Sequence, residues 1–286
     1  MELGRVIVAD GTEVFYRAMG AEDAPVFLLL HGYPASSFQF RNLMPILAAH
    51  YRVIAPDHPG FGFTRTTAEN YEFTFDNLSE TIESFIDTLK LSATPFPVYI
   101  FDYGAPIALR ILLRRPTMFS TIVTQNGNAY KEGLGDAWSA FGIRGYWNSP
   151  TEENREALRN LLTLDSTKFQ YEIGHPSAAD IPPETYHLDY FISNENAEAM
   201  LDLFYDYRKN VDLYPAFSAA LKKANPFVLA VWGTNDPFFL PAGAVAYAQD
   251  IAPERIKVVL LDAGHLVLES HCDEVGSEIL RFMGVV

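Results

Sequence analysis

The sequence predicts an α/β fold in which helices flank a mostly parallel eight-stranded sheet and a helical cap is inserted into the chain. Short apolar runs alternate with longer segments of helical period near both ends of the 286-residue chain. Near-continuous apolar runs are typical of parallel strands that helices cover on both faces. In the middle of the chain this alternation stops and aromatic residues accumulate. We therefore expect one large domain that carries an insertion.

The predicted strands are short runs rich in valine, isoleucine, leucine and phenylalanine. The first two flank a turn at residues 10–12, and we expect them to pair as a hairpin at the edge of the sheet. Most of the others have the composition of strands that are buried on both faces. The eight predicted strands cover residues 5–8, 14–19, 26–30, 53–55, 98–101, 121–124, 227–232 and 257–260.

Helical periodicity appears between these strands. Apolar residues from Leu78 to Leu89 recur at spacings of three and four, which predicts a helix with its N-cap among residues 74–77. A second helix is predicted over residues 105–115, because Pro116 ends it. Residues 128–223 contain no buried-strand run and are predicted to form the cap. Residues 1–127 and 224–286 then form the core.

Composition limits the classes of function. The formal net charge of −15 and the lack of any Lys/Arg cluster longer than a pair argue against a nucleic acid partner. The apolar runs are too short to span a bilayer, and the first residues do not resemble a secretory signal, so we expect a cytoplasmic protein. Cys272 is the single cysteine, which excludes an internal disulfide and a cysteine-built metal site.

Asp102 follows a predicted strand at the position where a catalytic nucleophile projects. The strand over residues 98–101 runs through Asp102, Tyr103 and Gly104 directly into a helix, which is the context of a nucleophile elbow. A small residue such as Gly104 suits this tight crossing, although Ile100 stands where the common elbow has a glycine. For Asp102 alone, a role as the N-cap of the helix is the main alternative.

Two later strand ends supply the partners of a catalytic triad. Asp236 follows the strand over residues 227–232, and His265 follows the last strand. Nucleophile, acid and histidine thus occur in the order expected at the carboxyl ends of strands. The turn at residues 31–34 also follows an apolar strand, so its backbone and the N–H of Tyr103 can supply two oxyanion donors. This context favours the nucleophile interpretation of Asp102.

These motifs resemble the α/β-hydrolase superfamily, in particular its epoxide hydrolase and haloalkane dehalogenase branch, in which aspartate is the nucleophile. The resemblance covers essentially the whole chain and includes the turn at residues 31–34, the segment 57–62, the aspartate elbow, the acid Asp236 and the terminal Gly264-His265 pair. It implies attack on an sp³ carbon, an ester on Asp102 and its hydrolysis by water that His265 activates, without a metal or cofactor.

Several other polar residues need roles under this interpretation. Asn126 and Asn128 stand where some dehalogenases place their acid but carry no carboxylate, which favours Asp236. Asp262 is a rival acid on the wrong side of its turn in the family arrangement. We expect structural roles for His31 and Asp57. Surface or capping roles are expected for four histidines that have no strand-end context, His58, His175, His187 and His271.

Two residues distinguish an epoxide from a halide as the leaving group. Dehalogenases of this branch usually place Trp after the nucleophile and often Asn in the turn, whereas this sequence has Tyr103 and Tyr33. The resemblance therefore favours an epoxide hydrolase that acts on a small apolar substrate. A haloalkane dehalogenase and a non-hydrolytic binder or isomerase remain alternatives, and a homodimer is compatible with the sequence.

Epoxide hydrolases of this branch protonate the epoxide oxygen with cap tyrosines. By resemblance Tyr207 is the expected acid, Tyr146 its expected partner and Tyr130 the next choice. Trp147 is expected to contact the substrate. For any single cap tyrosine, ordinary packing is an equally good interpretation.

Overall fold

The computed structural model of the protein describes residues 1–66 and 71–286, and these form an eight-stranded sheet. The strands are β1 (Glu2–Ile7), β2 (Glu13–Met19), β3 (Val26–Leu30), β4 (Arg52–Pro56), β5 (Phe96–Phe101), β6 (Phe119–Gln125), β7 (Phe227–Gly233) and β8 (Ile256–Leu261). Their order in the sheet is β1-β2-β4-β3-β5-β6-β7-β8. The hairpin β1–β2 and the pair β2–β4 are antiparallel, and the other pairs are parallel. The predicted fold class is confirmed.

Helices cover both faces of the sheet. The α-helices of the described residues are α1 (Leu43–Leu47), α2 (Phe75–Thr88), α3 (Gly104–Arg114), α4 (Ala137–Ala140), α5 (Ile143–Asn148), α6 (Glu152–Ala157), α7 (Leu164–Glu172), α8 (Pro183–Glu195), α9 (Ala197–Ala224), α10 (Pro241–Ala246) and α11 (Cys272–Phe282). None of these helices combines the length and the apolar character needed to cross a membrane. Both helices predicted from periodicity are present, and Thr74 caps α2 by accepting the N–H of Asn77 at 3.2 Å.

The strands alternate their side chains between two apolar cores. In β3, Leu28 and Leu30 join the core that contains α2, α3 and much of the segment between β6 and β7. Phe27 and Leu29 point to the opposite face and join the core that contains α1 and α11. All four side chains are fully buried, and each contributes on the order of 2 kcal/mol through removal of apolar surface from water. This explains why the parallel strands are apolar without interruption.

The regular elements between β6 and β7 are all helical, from α4 to α9, and together with their turns we call them the helical insertion. Buried hydrogen bonds join it to the sheet domain. The Phe75 N–H donates to Asp206 at 2.8 Å, and the Arg110 guanidinium donates to the Asn210 side chain at 2.6 Å. The insertion lies in the region predicted as a cap, whereas the proposed domain limits at 128 and 223 remain a prediction.

A third link between insertion and sheet domain is built on a buried carboxylate. Asp189 on α8 accepts hydrogen bonds from the Ser36 hydroxyl at 2.9 Å and from the Tyr171 hydroxyl. Burial raises the pKa of Asp189 from its ordinary value of 3.8 to about 7, against the lowering effect of these two donors. The nearby carboxylates of Asp57 and Glu269 also favour the protonated form.

This raised pKa predicts a pH-dependent stability. Between pH 4 and 7 the folded protein binds the Asp189 proton more tightly than the unfolded chain, so the free energy of unfolding falls as the pH rises. We expect Asp189→Asn, which resembles the protonated acid, to remove this part of the decline. Urea unfolding at pH 5 and pH 8 measures it, with the exposed Asp180→Asn as the matched control. Equal pH dependence in wild type and Asp189→Asn contradicts the assignment.

Candidate active site

The sharp turn after β5 places Asp102 at the carboxyl edge of the sheet. Asp102 has a φ of +46°, a left-handed conformation that is unusual for a non-glycine residue. The turn is possible because glycines line it. A Cβ on Gly32 would lie 2.3 Å from Asp102 Oδ1, and a Cβ on Gly104 would lie 2.4 Å from the Leu30 carbonyl oxygen. The backbones therefore approach one another more closely than any side chain would allow.

The Asp102 carboxylate is held by main-chain donors rather than by the start of its helix alone. The Tyr33 N–H donates to Oδ1 at 2.6 Å, and the Tyr103 N–H also donates to the carboxylate. The N-cap position of α3 is Tyr103, and Asp102 lies one residue before it, so the N-cap alternative does not describe Asp102. Burial raises the pKa of Asp102 to about 6, while His265 and the two N–H donors oppose this rise.

His265 and Asp236 form the expected pair. His265 Nδ1 lies 2.8 Å from Asp236 Oδ2, and both side chains are buried. Burial has the largest single effect and opposes the charged form of His265, but the charge and hydrogen bond of Asp236, together with the Asp102 charge and the Tyr33 main chain, outweigh it and raise the histidine pKa. The other carboxylate oxygen accepts N–H donors from Phe238 at 2.7 Å and Phe239 at 3.2 Å. Asp236 is thus oriented to hold the Nδ1–H tautomer of His265.

Asn126 is a member of this network that the sequence did not identify as such. Its Nδ2 donates to Asp236 Oδ2 at 2.7 Å, and its Oδ1 accepts the Gly233 N–H at 3.0 Å. Asn126 has a φ of +45°, which asparagine tolerates better than most residues. Its position just after β6 was a usable signal, because it brings the amide to the same sheet edge as Asp236.

Two histidines brace the turn that carries Tyr33. The His58 N–H donates to His31 Nε2 at 3.0 Å, and the two rings lie 4.2 Å apart. The structural role predicted for His31 agrees with these contacts. The surface or capping role predicted for His58 is wrong, because its side chain is fully buried and its Nε2 bonds the His31 carbonyl at 2.9 Å. Burial lowers the pKa of both rings, so they pack as neutral groups.

The other acidic residues considered from sequence, Asp57 and Asp262, make their hydrogen bonds away from His265. Asp57 accepts main-chain N–H groups from Ser37 and Phe63, each at 2.7 Å, which agrees with the structural role predicted for it. Asp262 is exposed and accepts the Asn235 side-chain amide at 2.8 Å. Since Asp236 occupies Nδ1 of His265, Asp262 is not the partner of this histidine.

Asp102 and His265 line one small cavity. Its volume of about 30 Å³ is enough for about two water molecules. Apart from Asp102, His265 and Gln170, its wall is apolar or aromatic. The lining residues are Tyr33, Asp102, Tyr103, Trp138, Ile143, Leu161, Gln170, Phe204, Phe238, Phe239 and His265. Phe238 and Phe239 had a sequence signal, as they come two and three residues after Asp236, whereas Gln170 had none.

The residues predicted in the cap are distributed differently. Tyr207 is fully buried behind the wall, with its ring 5.8 Å from that of Tyr103 and its hydroxyl 3.4 Å from that of Tyr214. Tyr146 packs on Tyr205 and bonds Arg155.

Trp147 donates from Nε1 to the Phe204 carbonyl at 2.7 Å, and the Tyr130 hydroxyl donates to Asp250 at 2.9 Å. Among the described residues, the cavity wall includes Tyr33 and Tyr103 but not Tyr207, Tyr146, Trp147 or Tyr130.

Comparison with known proteins identifies the family. The sequence profile of the α/β hydrolase fold family matches residues 25–271. The chain belongs to this family. An uncharacterized hydrolase of Saccharomyces cerevisiae is 43% identical over 282 residues, which covers 96% of this chain and 95% of the yeast protein. The protein is therefore an enzyme of the α/β hydrolase class.

Haloalkane dehalogenases are also among the relatives of this α/β hydrolase. The dehalogenase of Psychrobacter cryohalolentis is 36% identical over 114 residues, which covers 40% of this chain and 37% of the dehalogenase. The crystal structure of the haloalkane dehalogenase DbeA from Bradyrhizobium elkani has a TM-score of 0.74 and 23% identity, and it covers 99% of this chain and 98% of that one. At this identity the structural likeness shows the shared fold alone.

The Asn126 contact predicts how Asp236 and His265 respond to a substitution. Asn126→Gly keeps the backbone conformation but removes a donor from the Asp236 carboxylate, which strengthens its attraction for a charged His265. We expect the pKa of His265 to rise by up to about one unit. An NMR titration of the ¹⁵N-labelled imidazole measures it. Asn128→Ala, which changes an amide bonded to Tyr130 and Tyr214, is the control. An unchanged His265 pKa in Asn126→Gly is the contrary result.

Proposed function

We propose that this α/β hydrolase opens an epoxide to a diol through a covalent ester on Asp102. The observation that carries the proposal is the buried carboxylate at the elbow. The Tyr33 N–H fixes Oδ1 at 2.6 Å, and Asp102 lines the same cavity as His265. A carboxylate needs no base to activate it but is a weak nucleophile toward acyl carbon. An sp³ carbon with a good leaving group or ring strain is its natural target.

In the first step Oδ2 of Asp102 attacks an epoxide carbon from the side opposite the C–O bond. The new C–O ester bond forms as the ring C–O bond breaks, and the released oxygen takes a proton from a donor in the wall. Asp102 must be ionised for this attack. Because burial raises its pKa to about 6, the first step requires a pH above this value.

In the second step His265 removes a proton from water, which attacks the ester carbon of Asp102. The negative charge then develops on the oxygen that faces the Tyr33 and Tyr103 N–H groups. These preorganised donors stabilise the tetrahedral intermediate. Collapse of the intermediate breaks the ester C–O bond, and the diol oxygen takes the proton that His265 removed from water. The proton of the new Asp102 carboxylic acid returns to the wall donor that lost one in the first step, which regenerates the carboxylate. Until then Asp236 stabilises the transient imidazolium of His265.

The nature of the donors in the wall supports an epoxide rather than a halide. The Tyr103 hydroxyl makes no hydrogen bond within the described part of the chain, and burial keeps its pKa well above the ordinary value. We therefore propose Tyr103 as the proton donor, with Tyr207 behind it as the second candidate. The indole N–H of Trp138, which would suit a halide, already donates to the Phe238 carbonyl at 2.9 Å.

Two alternatives have some support. Dehalogenation is favoured by the haloalkane dehalogenases among the relatives. A non-hydrolytic binder is the weaker alternative, because a pocket that only binds has no use for the His265–Asp236 pair.

Trapping of the ester tests the proposal. We expect His265→Gln to complete the first step and stop at the second, so that incubation with an epoxide adds the full epoxide mass to Asp102. Intact-mass spectrometry and peptide mapping measure the adduct, with His175→Gln as the control. A panel of terminal, aryl and internal epoxides beside bromo- and chloroalkanes identifies the leaving group. An adduct that lacks the halide mass, accompanied by halide release, supports dehalogenation instead, and no adduct from either class contradicts covalent catalysis by Asp102.

The same variant reports the ionisation of the nucleophile. Removal of His265 also removes a positive influence on Asp102, so its pKa in His265→Gln lies at or above the value of about 6. The rate of adduct formation should then fall about tenfold per pH unit below this pKa. A rate that stays constant from pH 5 to pH 8 contradicts the raised pKa.

Two conservative substitutions test the proton donor. We expect Tyr103→Phe to reduce epoxide opening about a hundredfold, the usual scale for loss of a general acid. Tyr207→Phe should cost less, because the Tyr207 hydroxyl lies against Tyr214. Single-turnover adduct formation in the His265→Gln background measures both. A larger loss in Tyr207→Phe than in Tyr103→Phe reassigns the donor to Tyr207.

A further inference from the structure

The catalytic cavity is too small for the reaction that we propose for it. At about 30 Å³ it holds about two water molecules, whereas the smallest alkyl epoxides have four or more heavy atoms. Part of the wall must therefore move each time a substrate enters.

A second, much larger pocket opens on the surface of the helical insertion and shares one residue with the cavity. This outer pocket has a volume of about 660 Å³. Leu161 lies in the wall of both spaces. The outer pocket is lined by Ala140, Phe141, Gly142, Ala157, Asn160, Leu161, Thr163, Asp165, Ser166 and Phe169.

The wall between the two spaces is about one side chain thick. Ile143 faces the cavity and its neighbour Gly142 faces the outer pocket, and the same relation holds for Gln170 and Phe169. Phe141 in the outer pocket stacks on Phe238 of the cavity with ring centroids 5.6 Å apart. The two spaces therefore meet at Leu161 and the side chains around it.

We propose that the Leu161 side chain is the gate between these spaces and that the outer pocket receives the apolar arm of the epoxide, an inference that rests on the proposed function. The chemistry of the outer pocket fits this occupant. Phe141, Leu161 and Phe169 provide an apolar floor, and Thr163 and Asp165 are among the polar residues beside it. A terminal epoxide with an alkyl or aryl arm would place its ring at Asp102 and its arm past Leu161.

Movement of this one side chain is less costly than opening of the insertion. The insertion is fixed to the sheet domain by buried hydrogen bonds at Asp189, Asp206 and Asn210. Each bond that involves a charged group contributes about 1.5–3 kcal/mol. Rotation of one leucine between staggered rotamers breaks none of these bonds. The Tyr33 hydroxyl bonds the Leu161 carbonyl at 2.7 Å, which holds the main chain, and Leu161 lines both spaces.

Substitutions at Leu161 test the gate, with Leu162→Ala as the matched control. Leu162 is as buried as Leu161, at 5% exposure, and lies in the same 3₁₀ helix (Leu158–Leu162), but it lines neither the cavity nor the outer pocket. The measured quantity is the ratio of kcat/KM for 1,2-epoxydecane to that for 1,2-epoxybutane, which cancels differences in folded fraction. We expect Leu161→Ala to raise this ratio about tenfold, Leu161→Trp to lower it about tenfold, and Leu162→Ala to leave it unchanged. A ratio that is constant in both Leu161 variants, or that shifts equally in Leu162→Ala, overturns the proposal.

Binding of 1-octanol, measured by calorimetry, separates the gate from the proposed reaction. Leu161→Trp should weaken this binding about tenfold relative to wild type, whereas Leu162→Ala should not. If no epoxide is hydrolysed but octanol binding depends on Leu161 in this way, the result supports the gate and contradicts the proposed epoxide reaction. If epoxides are hydrolysed but neither the kcat/KM ratio nor octanol binding depends on Leu161, the result supports the proposed reaction and contradicts the gate.

Discussion

The short hydrogen bond from the Tyr33 N–H to Asp102 is the contact on which the rest of the site depends. It joins the turn after β3 to the elbow after β5, and it forms only because Gly32 leaves no Cβ between them. The same tyrosine fixes Leu161 through its hydroxyl, and its main chain interacts with His265. One residue thus connects Asp102, His265 and the wall of the cavity, and the buried pair His31–His58 braces its turn.

Two buried carboxylates at one sheet edge acquire different chemistry from the donors around them. Asp236 accepts N–H groups from Asn126, Phe238 and Phe239 and also faces His265, so each of its oxygens is occupied. Asp102 lines the cavity and has two main-chain donors, and its burial raises its pKa to about 6. The more fully bonded carboxylate is suited to orient a base. The other retains an oxygen that can attack, which is the division of roles that a covalent mechanism requires.

The sheet and the His265–Asp236 contact were predictable from sequence because each depends on short-range patterns. Buried parallel strands are continuous apolar runs, and the polar residues that follow them must gather at one edge. The cap tyrosines were not predictable, because aromatic composition does not show which way a ring points along a helix. The prediction that Tyr207 and Tyr146 donate a proton therefore rests on resemblance alone. From the sequence, Asn126 was assessed only as a residue that lacks the carboxylate of an acid, and its contact with Asp236 was not predicted. The burial of His58 depends on its pairing with His31, a contact that no local pattern indicates.

The side-chain donors in the cavity wall, rather than the backbone fold, decide which reaction the site supports. Proteins that share this fold act on different substrates, so a likeness in backbone does not select one of them. The two candidate reactions differ in the kind of donor that the leaving atom needs from the cavity wall. A halide leaves as a stable anion and needs only N–H contacts, whereas an opened epoxide leaves an alkoxide that must be protonated. Tyr103, a hydroxyl without a partner in the described residues, is the donor that we propose for the second requirement, and the indole of Trp138 is engaged elsewhere.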